Sequence, residues 1–118
     1  IEINPQYALA YNNRGVAKGR LGDYQGAIAD YNKAIAINPQ DALAYVNRAY
    51  AKINLGDYQG ALTDTNKAIA IDPQNAAAYN NRGSAKGASG DHKGACADMR
   101  RASSLGAKMT PAIQRICF

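Results

Sequence analysis

The sequence repeats itself every 34 residues, and this period limits the folds that are open to the chain. Residues 8–41 and 42–75 are identical at 24 of 34 aligned positions, and residues 76–109 form a third, more divergent copy. A repeat of this length predicts a stack of similar units, because each unit needs a neighbour to bury its apolar face. The recurring positions include Pro5, Pro39 and Pro73, then Tyr11, Tyr45 and Tyr79, and the pairs Gly22 with Asp23, Gly56 with Asp57 and Gly90 with Asp91.

Each unit is predicted to consist of two helices. Apolar residues between Ala27 and Ile35 recur at every third or fourth position, which is the spacing of one helical face. Gly22 and Asp23 interrupt the pattern, and a proline after Asn38 ends it, because the residue before a proline is displaced from the α region. We therefore expect helices at about 8–21, 24–37, 42–55, 58–71, 76–89 and 92–105.

These features resemble the tetratricopeptide repeat family. The resemblance covers residues 8–107 and lies in the helix–turn–helix unit, its Gly-Asp turn, its small residues and its closing proline. It implies an all-α superhelix, or solenoid, of three helical hairpins at about 8–41, 42–75 and 76–109, forming a single domain. Residues 1–7 match the tail of a preceding repeat, so we interpret the chain as a fragment of a longer array.

A short capping helix is predicted after the third unit. Gly106 can end a helix in the left-handed conformation. Thr110 and Pro111 then suit the cap and the first helical position, and apolar residues follow up to Cys117. We expect a helix within residues 110–117 that packs over the third hairpin, antiparallel to the helix before it.

This antiparallel packing places Cys117 beside Cys96, with Cα atoms within about 10 Å. Cys96 aligns with Ile28 and Leu62 of the earlier units, so we expect it to be buried. A disulfide and a reduced pair are both open. No signal peptide marks the chain as secreted, so we favour the reduced pair and a cytoplasmic location.

The net charge of +5 lies entirely in residues 76–118, which hold seven basic and two acidic residues. A basic end can attract a phosphate backbone, but the chain has no aromatic–basic interleaving or reading motif. A terminal repeat also needs a polar outer face. No apolar run reaches the roughly 18 residues that a membrane span needs. We therefore expect neither nucleic acid nor membrane as a partner.

The sequence offers no set of residues for catalysis. Its only histidine and cysteines are His92, Cys96 and Cys117, which lack the paired spacing of a metal site, so a three-ligand site is the weaker alternative. The glycines follow the repeat and not a nucleotide motif. We predict a protein that is not an enzyme and has no cofactor and no metal.

The repeated arginines are predicted to form ion pairs. Arg14, Arg48 and Arg82 each precede an aspartate by 16 residues. Across a hairpin that turns near residue 22, these positions lie at similar heights on facing helices, where a guanidinium can bind a carboxylate through two hydrogen bonds. A role in ligand binding is the alternative. The lysines at 18, 52 and 86 are expected to keep their charged ends in solvent.

The family resemblance implies a concave groove lined by the first helix of each unit. The central unit is apolar there, which suits a partner's side chain, although packing against the neighbouring helix is an alternative. The groove positions that we predict to bind peptide are Asn12, Val16, Leu43, Val46, Tyr50, Ile53, Asn80 and Ser84.

Asn13, Asn47 and Asn81 repeat beside this groove. An amide both donates and accepts hydrogen bonds, so it can match the main chain of an extended peptide of any sequence. The column resembles the asparagine ladder that grips peptide main chain in one branch of the family. Of the family's clamp for chaperone C-termini, only Asn47 is present, which disfavours that ligand. In the alternative, these amides bond to helix carbonyls.

We therefore predict a protein–protein interaction scaffold that binds an extended peptide or partner segment in its groove. The alternative is a self-assembling module that stacks through exposed repeat ends, above all the N-terminal end.

Overall fold

The computed structural model describes residues 5–118, which form seven α-helices and no strand. The six predicted helices of the hairpins and the short C-terminal helix are all present. Their bounds are α1 Pro5–Arg20, α2 Tyr24–Ile37, α3 Ala42–Asn54, α4 Tyr58–Ile71, α5 Ala76–Ala88, α6 His92–Ser104 and α7 Pro111–Cys117. Most of the predicted tail of a preceding repeat falls on residues 1–4, outside the described residues.

Polar side chains fix where the helices begin. Asp23 accepts a hydrogen bond of 2.8 Å from the backbone N–H of Gly26 at the start of α2, and the aspartates at 57 and 91 cap α4 and α6 in the same way. Such caps satisfy N–H groups that have no partner inside the helix. Asp41 and Asn75 cap α3 and α5.

α1 begins three residues earlier than predicted. Tyr7 stands at the repeat position of the caps Asp41 and Asn75, and its phenol is too long to cap a nearby N–H as a short polar side chain does. Nothing therefore stops the helix at residue 8. It extends back to Pro5, because proline is well suited to the first helical position.

Glycines form the turns between the helices. Gly22 and Gly56 have φ of 83°, and Gly90 has φ of 98°, in the left-handed region that residues with a Cβ avoid. Gly106 has φ of 104°, which confirms the prediction that it ends α6 in this conformation.

The hairpins pack one after another. α1 pairs with α2, α3 with α4 and α5 with α6, while α2 contacts α3 and α4 contacts α5. The first helices α1, α3 and α5 are also neighbours. The described residues span 47 × 27 × 22 Å. This elongated stack confirms the predicted α-α solenoid and excludes a closed bundle.

Two facing positions of a hairpin, one on each helix, compensate for each other in side-chain size. In the first unit Gly15 faces the buried ring of Tyr31, and a Cβ at residue 15 would lie 2.5 Å from Cε1 of that ring. In the second unit, Ala49 and Thr65 occupy the same two positions, and both are buried. The larger residue on the first helix is thus matched by a smaller one on the second.

α7 confirms the predicted capping helix and begins with the expected Thr110 cap. Cys96 and Cys117 have Cα atoms 5.1 Å apart, which confirms that they are neighbours, but they form a disulfide. The predicted reduced pair is therefore wrong. Sequence reasoning placed the two residues only to within about 10 Å, whereas disulfide formation depends on a Cα separation of about 4.4–6.8 Å. Cys96 is also half-buried instead of buried, because the short α7 leaves one side open.

Candidate functional site

The predicted ion pairs are present in all three units. Arg14 donates two hydrogen bonds to Asp30, with N–O distances of 2.9 and 2.7 Å. Arg48 binds Asp64 in the same way at 2.8 and 2.6 Å, and Arg82 binds Asp98 at 2.9 and 2.8 Å. All three aspartates are buried, so each bidentate pair satisfies a carboxylate inside a hairpin.

The lysines at 18, 52 and 86 share these aspartates, which corrects the expectation that their charged ends lie free in solvent. Their Nζ atoms lie 3.2, 3.0 and 3.1 Å from the same carboxylates. A buried carboxylate has more acceptor positions than one guanidinium fills. The lysine four residues after each arginine lies on the same helix face and reaches the remaining one.

The arginines also connect successive units. Arg48 donates to the side-chain oxygen of Asn32 at 2.9 Å, and Arg82 donates to that of Asn66 at 3.1 Å.

Hydrogen bonding from Arg14 lowers the pKa of Asp30, with a further contribution from Lys18, and these effects outweigh burial, which would raise it. The predicted ion pairs between these arginines and the aspartates are therefore confirmed in all three units.

A cavity of about 430 Å³ opens between the first and second units. We call it the groove cavity. α1 and α2 form one wall and α3 forms the other. The cavity is lined by Val16, Gly19, Arg20, Tyr24, Ala27, Tyr31, Asn47, Tyr50 and Ala51. The three tyrosines and the small apolar residues give the cavity apolar surface. The amide of Asn47 and the guanidinium of Arg20 give it hydrogen-bonding groups.

The three asparagines of the predicted column differ in their surroundings. Asn13 is exposed on α1, and Asn47 lines the groove cavity. Asn81 donates a hydrogen bond of 3.2 Å to the backbone carbonyl of Val46, so it ties α5 to α3. The structural alternative therefore describes Asn81, whereas Asn13 and Asn47 remain candidates for binding a peptide.

Asn12 and Val46 do not lie on the groove surface, and the prediction of their exposure is wrong. They are 2% and 5% exposed. Asn12 donates a hydrogen bond of 2.8 Å to Asp41, the cap of α3. Val46 packs in a buried cluster with Ala68 and Ala78. The repeat position that these two residues share faces the next hairpin and not the groove. The prediction placed the groove-lining face of the helix one residue out of register.

The other predicted groove residues lie at or near the surface. Leu43 and Tyr50 are about half exposed. Ile53 is partly buried against a cluster of alanines from α3, α4 and α5, so the alternative of packing between helices holds for it. Ser84 is exposed and donates to the backbone carbonyl of Asn80, which is half-buried.

Sequence reasoning missed Tyr24 and Tyr31 as lining residues, because it searched only the first helices. Both lie on α2, and they reach the groove cavity past the small Gly15 and Gly19 of α1. The usable signal was the coincidence of glycines on the first helix with tyrosines on the second.

Two further alternatives from the sequence can be compared with the described residues. Both cysteine thiols are used in the disulfide, so His92, Cys96 and Cys117 do not offer the thiolates that a metal site would require in this state. Within residues 5–118, the helices are too short or too polar to cross a membrane.

Comparison with known proteins matches this architecture. Models described as tetratricopeptide repeat match residues 8–41, 30–63 and 76–105, and one described as TPR repeat matches residues 51–90. The chain belongs to the tetratricopeptide repeat family. None of the curated proteins compared with it matches.

Several solved structures share the fold. The Arabidopsis OM64 TPR domain is 31% identical, with a TM-score of 0.89, over 94% of this chain and 93% of that domain. The first TPR of Spaghetti (RPAP3), bound to the HSP90 peptide SRMEEVD, is 28% identical, with a TM-score of 0.89, over 98% and 92% of the two chains. The second TPR domain of human RPAP3, in complex with the HSP70 peptide SGPTIEEVD, is 28% identical, with a TM-score of 0.84, over 96% and 95%.

Proposed function

We propose that this tetratricopeptide array is a protein-interaction scaffold that binds an extended segment of a partner protein in its groove. The groove cavity carries this proposal. Its volume of about 430 Å³ falls in the range of ligand pockets, which are mostly apolar with a few polar groups that fix orientation. Two structural neighbours that hold peptides in their complexes support the same class of function.

In this proposal, one partner side chain enters the groove cavity and contacts Tyr50, which is 56% exposed without a partner. Asn47 forms part of the wall and hydrogen-bonds the partner's main chain beside that side chain. Asn13 does the same one unit earlier. An amide offers a donor and an acceptor, as a peptide unit does.

The peptides of the structural neighbours end in acidic residues. The first helices of this chain offer few unpaired cations that could bind such a terminus. Six of the seven arginines and lysines on the first helices are paired with the buried aspartates, and Arg20, which lines the groove cavity, is the remaining one. Ala77 and Asn81 stand where the family's chaperone clamp has cations. We therefore propose an internal or uncharged segment as the ligand, and not a chaperone C-terminus.

The test begins with peptides selected from a random displayed library against the immobilised chain. Their affinities are measured by calorimetry for the wild type and for Tyr50→Ala, Asn47→Ala and Asn13→Ala. Tyr50→Ala should weaken binding by about 1–3 kcal/mol, as the loss of an aromatic anchor does. Thr63→Ala is the matched control, because Thr63 is exposed on α4 and bonds only within its own helix.

Two results would oppose the proposal. One is equal loss of affinity in Thr63→Ala and Tyr50→Ala. The other is tighter binding of SRMEEVD than of any selected peptide, which would assign the groove to acidic chaperone termini despite the missing cations.

Self-association is the second candidate function. A cavity of about 450 Å³ at the N-terminal end is lined by Tyr7, Ala10, Tyr11, Arg14 and Ile37. The Arg14 side chain is 55% exposed, against 19% for Arg48 and 21% for Arg82, because those two lie under the preceding unit. Light scattering over a range of concentrations distinguishes a monomer from a dimer, and Tyr7→Ser should abolish a dimer formed through this face.

A further inference from the structure

α7 occupies the place of a first helix of the repeat. A cavity of about 420 Å³ lies between α7 and the third hairpin, and we call it the tail cavity. On the hairpin side its lining residues match those of the groove cavity two 34-residue periods earlier. The matched pairs are Ser84 with Val16, Gly87 with Gly19, Ala88 with Arg20, His92 with Tyr24, Ala95 with Ala27 and Met99 with Tyr31.

The opposite walls of the two cavities also correspond. α3 contributes residues 47, 50 and 51 to the groove cavity, and α7 contributes residues 113, 116 and 117 to the tail cavity. The spacing of three and then one is the same on both helices. α7 therefore lies on the surface of the third hairpin that, in the first two hairpins, receives the first helix of the next unit.

The disulfide takes the place of an apolar contact between units. Cys96 aligns with Ile28, which packs against the buried cluster that contains Ala51. Cys117 occupies on α7 the position that Ala51 has on α3. A contact that is non-covalent between the first two units is thus covalent between the third hairpin and its cap.

Few other contacts hold α7. None of its seven residues is buried, and Ile116 is 76% exposed. Besides the disulfide, Arg100 on α6 donates a hydrogen bond of 2.8 Å to the backbone carbonyl of Cys117. A helix of seven residues is unstable by itself in water. The position of α7 therefore depends on its tether.

We propose that α7 is a redox-controlled cap, whose release uncovers the apolar surface that, in the first two hairpins, is covered by the first helix of the next unit. A dithiol reductant supplies two electrons and two protons to the Cys96–Cys117 bond. The S–S bond breaks, both cysteines become thiols, and the reductant is oxidised to its own disulfide. The tail then leaves the apolar surface around Ala95 and Met99.

The length of the closed loop gives the size of the effect. The two cysteines are separated by 21 residues in sequence. Closing a loop of this length favours the docked tail over the free tail by about a hundredfold. Arg100 and the apolar residues of α7 supply what affinity is left after reduction.

The experiment measures trypsin cleavage after Lys108 and Arg115 by mass spectrometry, in the oxidised chain and in the chain reduced by dithiothreitol. Lys108 is exposed before α7 and Arg115 is exposed on it. Reduction should accelerate both cleavages at least about tenfold, because proteolysis follows the population of the open form. Cleavage after Arg20, in the turn between α1 and α2, is the internal control and should keep its rate.

The variant Cys96→Ser/Cys117→Ser should cleave like the reduced wild type under both conditions. Arg100→Met should accelerate cleavage further in the reduced chain and have little effect in the oxidised chain.

Equal cleavage of oxidised and reduced chains at Lys108 and Arg115 would overturn the proposal. So would faster cleavage after Arg20 together with a loss of helical circular dichroism on reduction, because the disulfide would then support the whole stack and not the cap alone.

Discussion

The pairing of Gly15 with Tyr31 allows a sharp test of how the helices pack. In Gly15→Ala, the new Cβ would lie 2.5 Å from Cε1 of Tyr31 and 2.9 Å from Cδ1 and Cζ. Tyr31 is buried and lines the groove cavity, so its ring could relieve this overlap only by turning into that cavity and losing its packing contacts. Overpacking of this kind costs about 1–3 kcal/mol, and the better helix propensity of alanine recovers about 1 kcal/mol. We expect a net loss of up to about 2 kcal/mol in the free energy of unfolding.

Gly87→Ala is the matched control. Gly87 is the penultimate residue of the first helix α5, and its added Cβ would meet only the Cβ of Ala95, at 3.5 Å. That is an ordinary contact. Because Gly87 lies in the last turn, only part of the interior propensity gain of about 1 kcal/mol applies, and the variant should be as stable as the wild type or slightly more stable.

The second unit suggests the compensating change. Ala49 and Thr65 stand there in place of Gly15 and Tyr31. Tyr31→Thr alone should cost about 2–4 kcal/mol, because it leaves a cavity. In the double variant Gly15→Ala/Tyr31→Thr the new Cβ fills part of that cavity and meets no ring. The two costs should therefore sum to about 1–2 kcal/mol more than the cost of the double variant.

Urea unfolding followed by circular dichroism gives these four free energies. The packing argument fails if Gly15→Ala is as stable as Gly87→Ala, or if the effects of Gly15→Ala and Tyr31→Thr are additive. Either result would mean that the Tyr31 ring rearranges at little cost.

Two further predictions follow from the turns and the ion pairs. Gly56→Ala should destabilise the fold by about 1–2 kcal/mol in urea unfolding, because φ of 83° is unfavourable for alanine although no atom lies within 4 Å of the new Cβ; a neutral effect would contradict this. The pKa of Asp30 is lower in the folded state than its ordinary value of 3.8, so the ionised carboxylate stabilises the fold at pH values above 3.8. This stabilisation is lost as the pH falls through the pKa of the folded state. Asp30→Asn should therefore differ most from the wild type near neutral pH and less in acid, whereas a difference that does not change with pH would refute the assignment.

The helices and the ion pairs could be predicted because the residues that form them recur at the same positions in all three units. Gly22, Gly56 and Gly90 recur at one spacing, and so do the arginine and aspartate partners. Where both partners of a contact recur at this spacing, as the arginines and aspartates do, the contact forms in every unit. Periodicity therefore gave the helix bounds and the internal contacts of a hairpin.

The groove surface was harder to predict, because the repeat fixes which positions are equivalent but not which way they face. One residue along a helix is a rotation of about 100°. That rotation separates the buried Asn12 from the exposed Asn13. The disulfide was beyond reach for a related reason, since helix packing places two Cα atoms to several ångströms and bond formation depends on a narrower range.

At the C-terminal end of the stack, residues differ at positions that form contacts between units in the earlier repeats. Asn32 and Asn66 accept hydrogen bonds from the arginine of the following unit. The third residue of this series is Arg100, a donor, and it binds the backbone carbonyl of Cys117 in α7. An asparagine there would suit an arginine on the next helix, whereas Arg100 would repel one. The change from acceptor to donor therefore favours α7 over a further copy of the repeat, and Cys96 in the place of Ile28 acts in the same direction. A second molecule that docked Arg14 against the third hairpin would face this repulsion, so any self-association should use other surfaces while Arg100 is present.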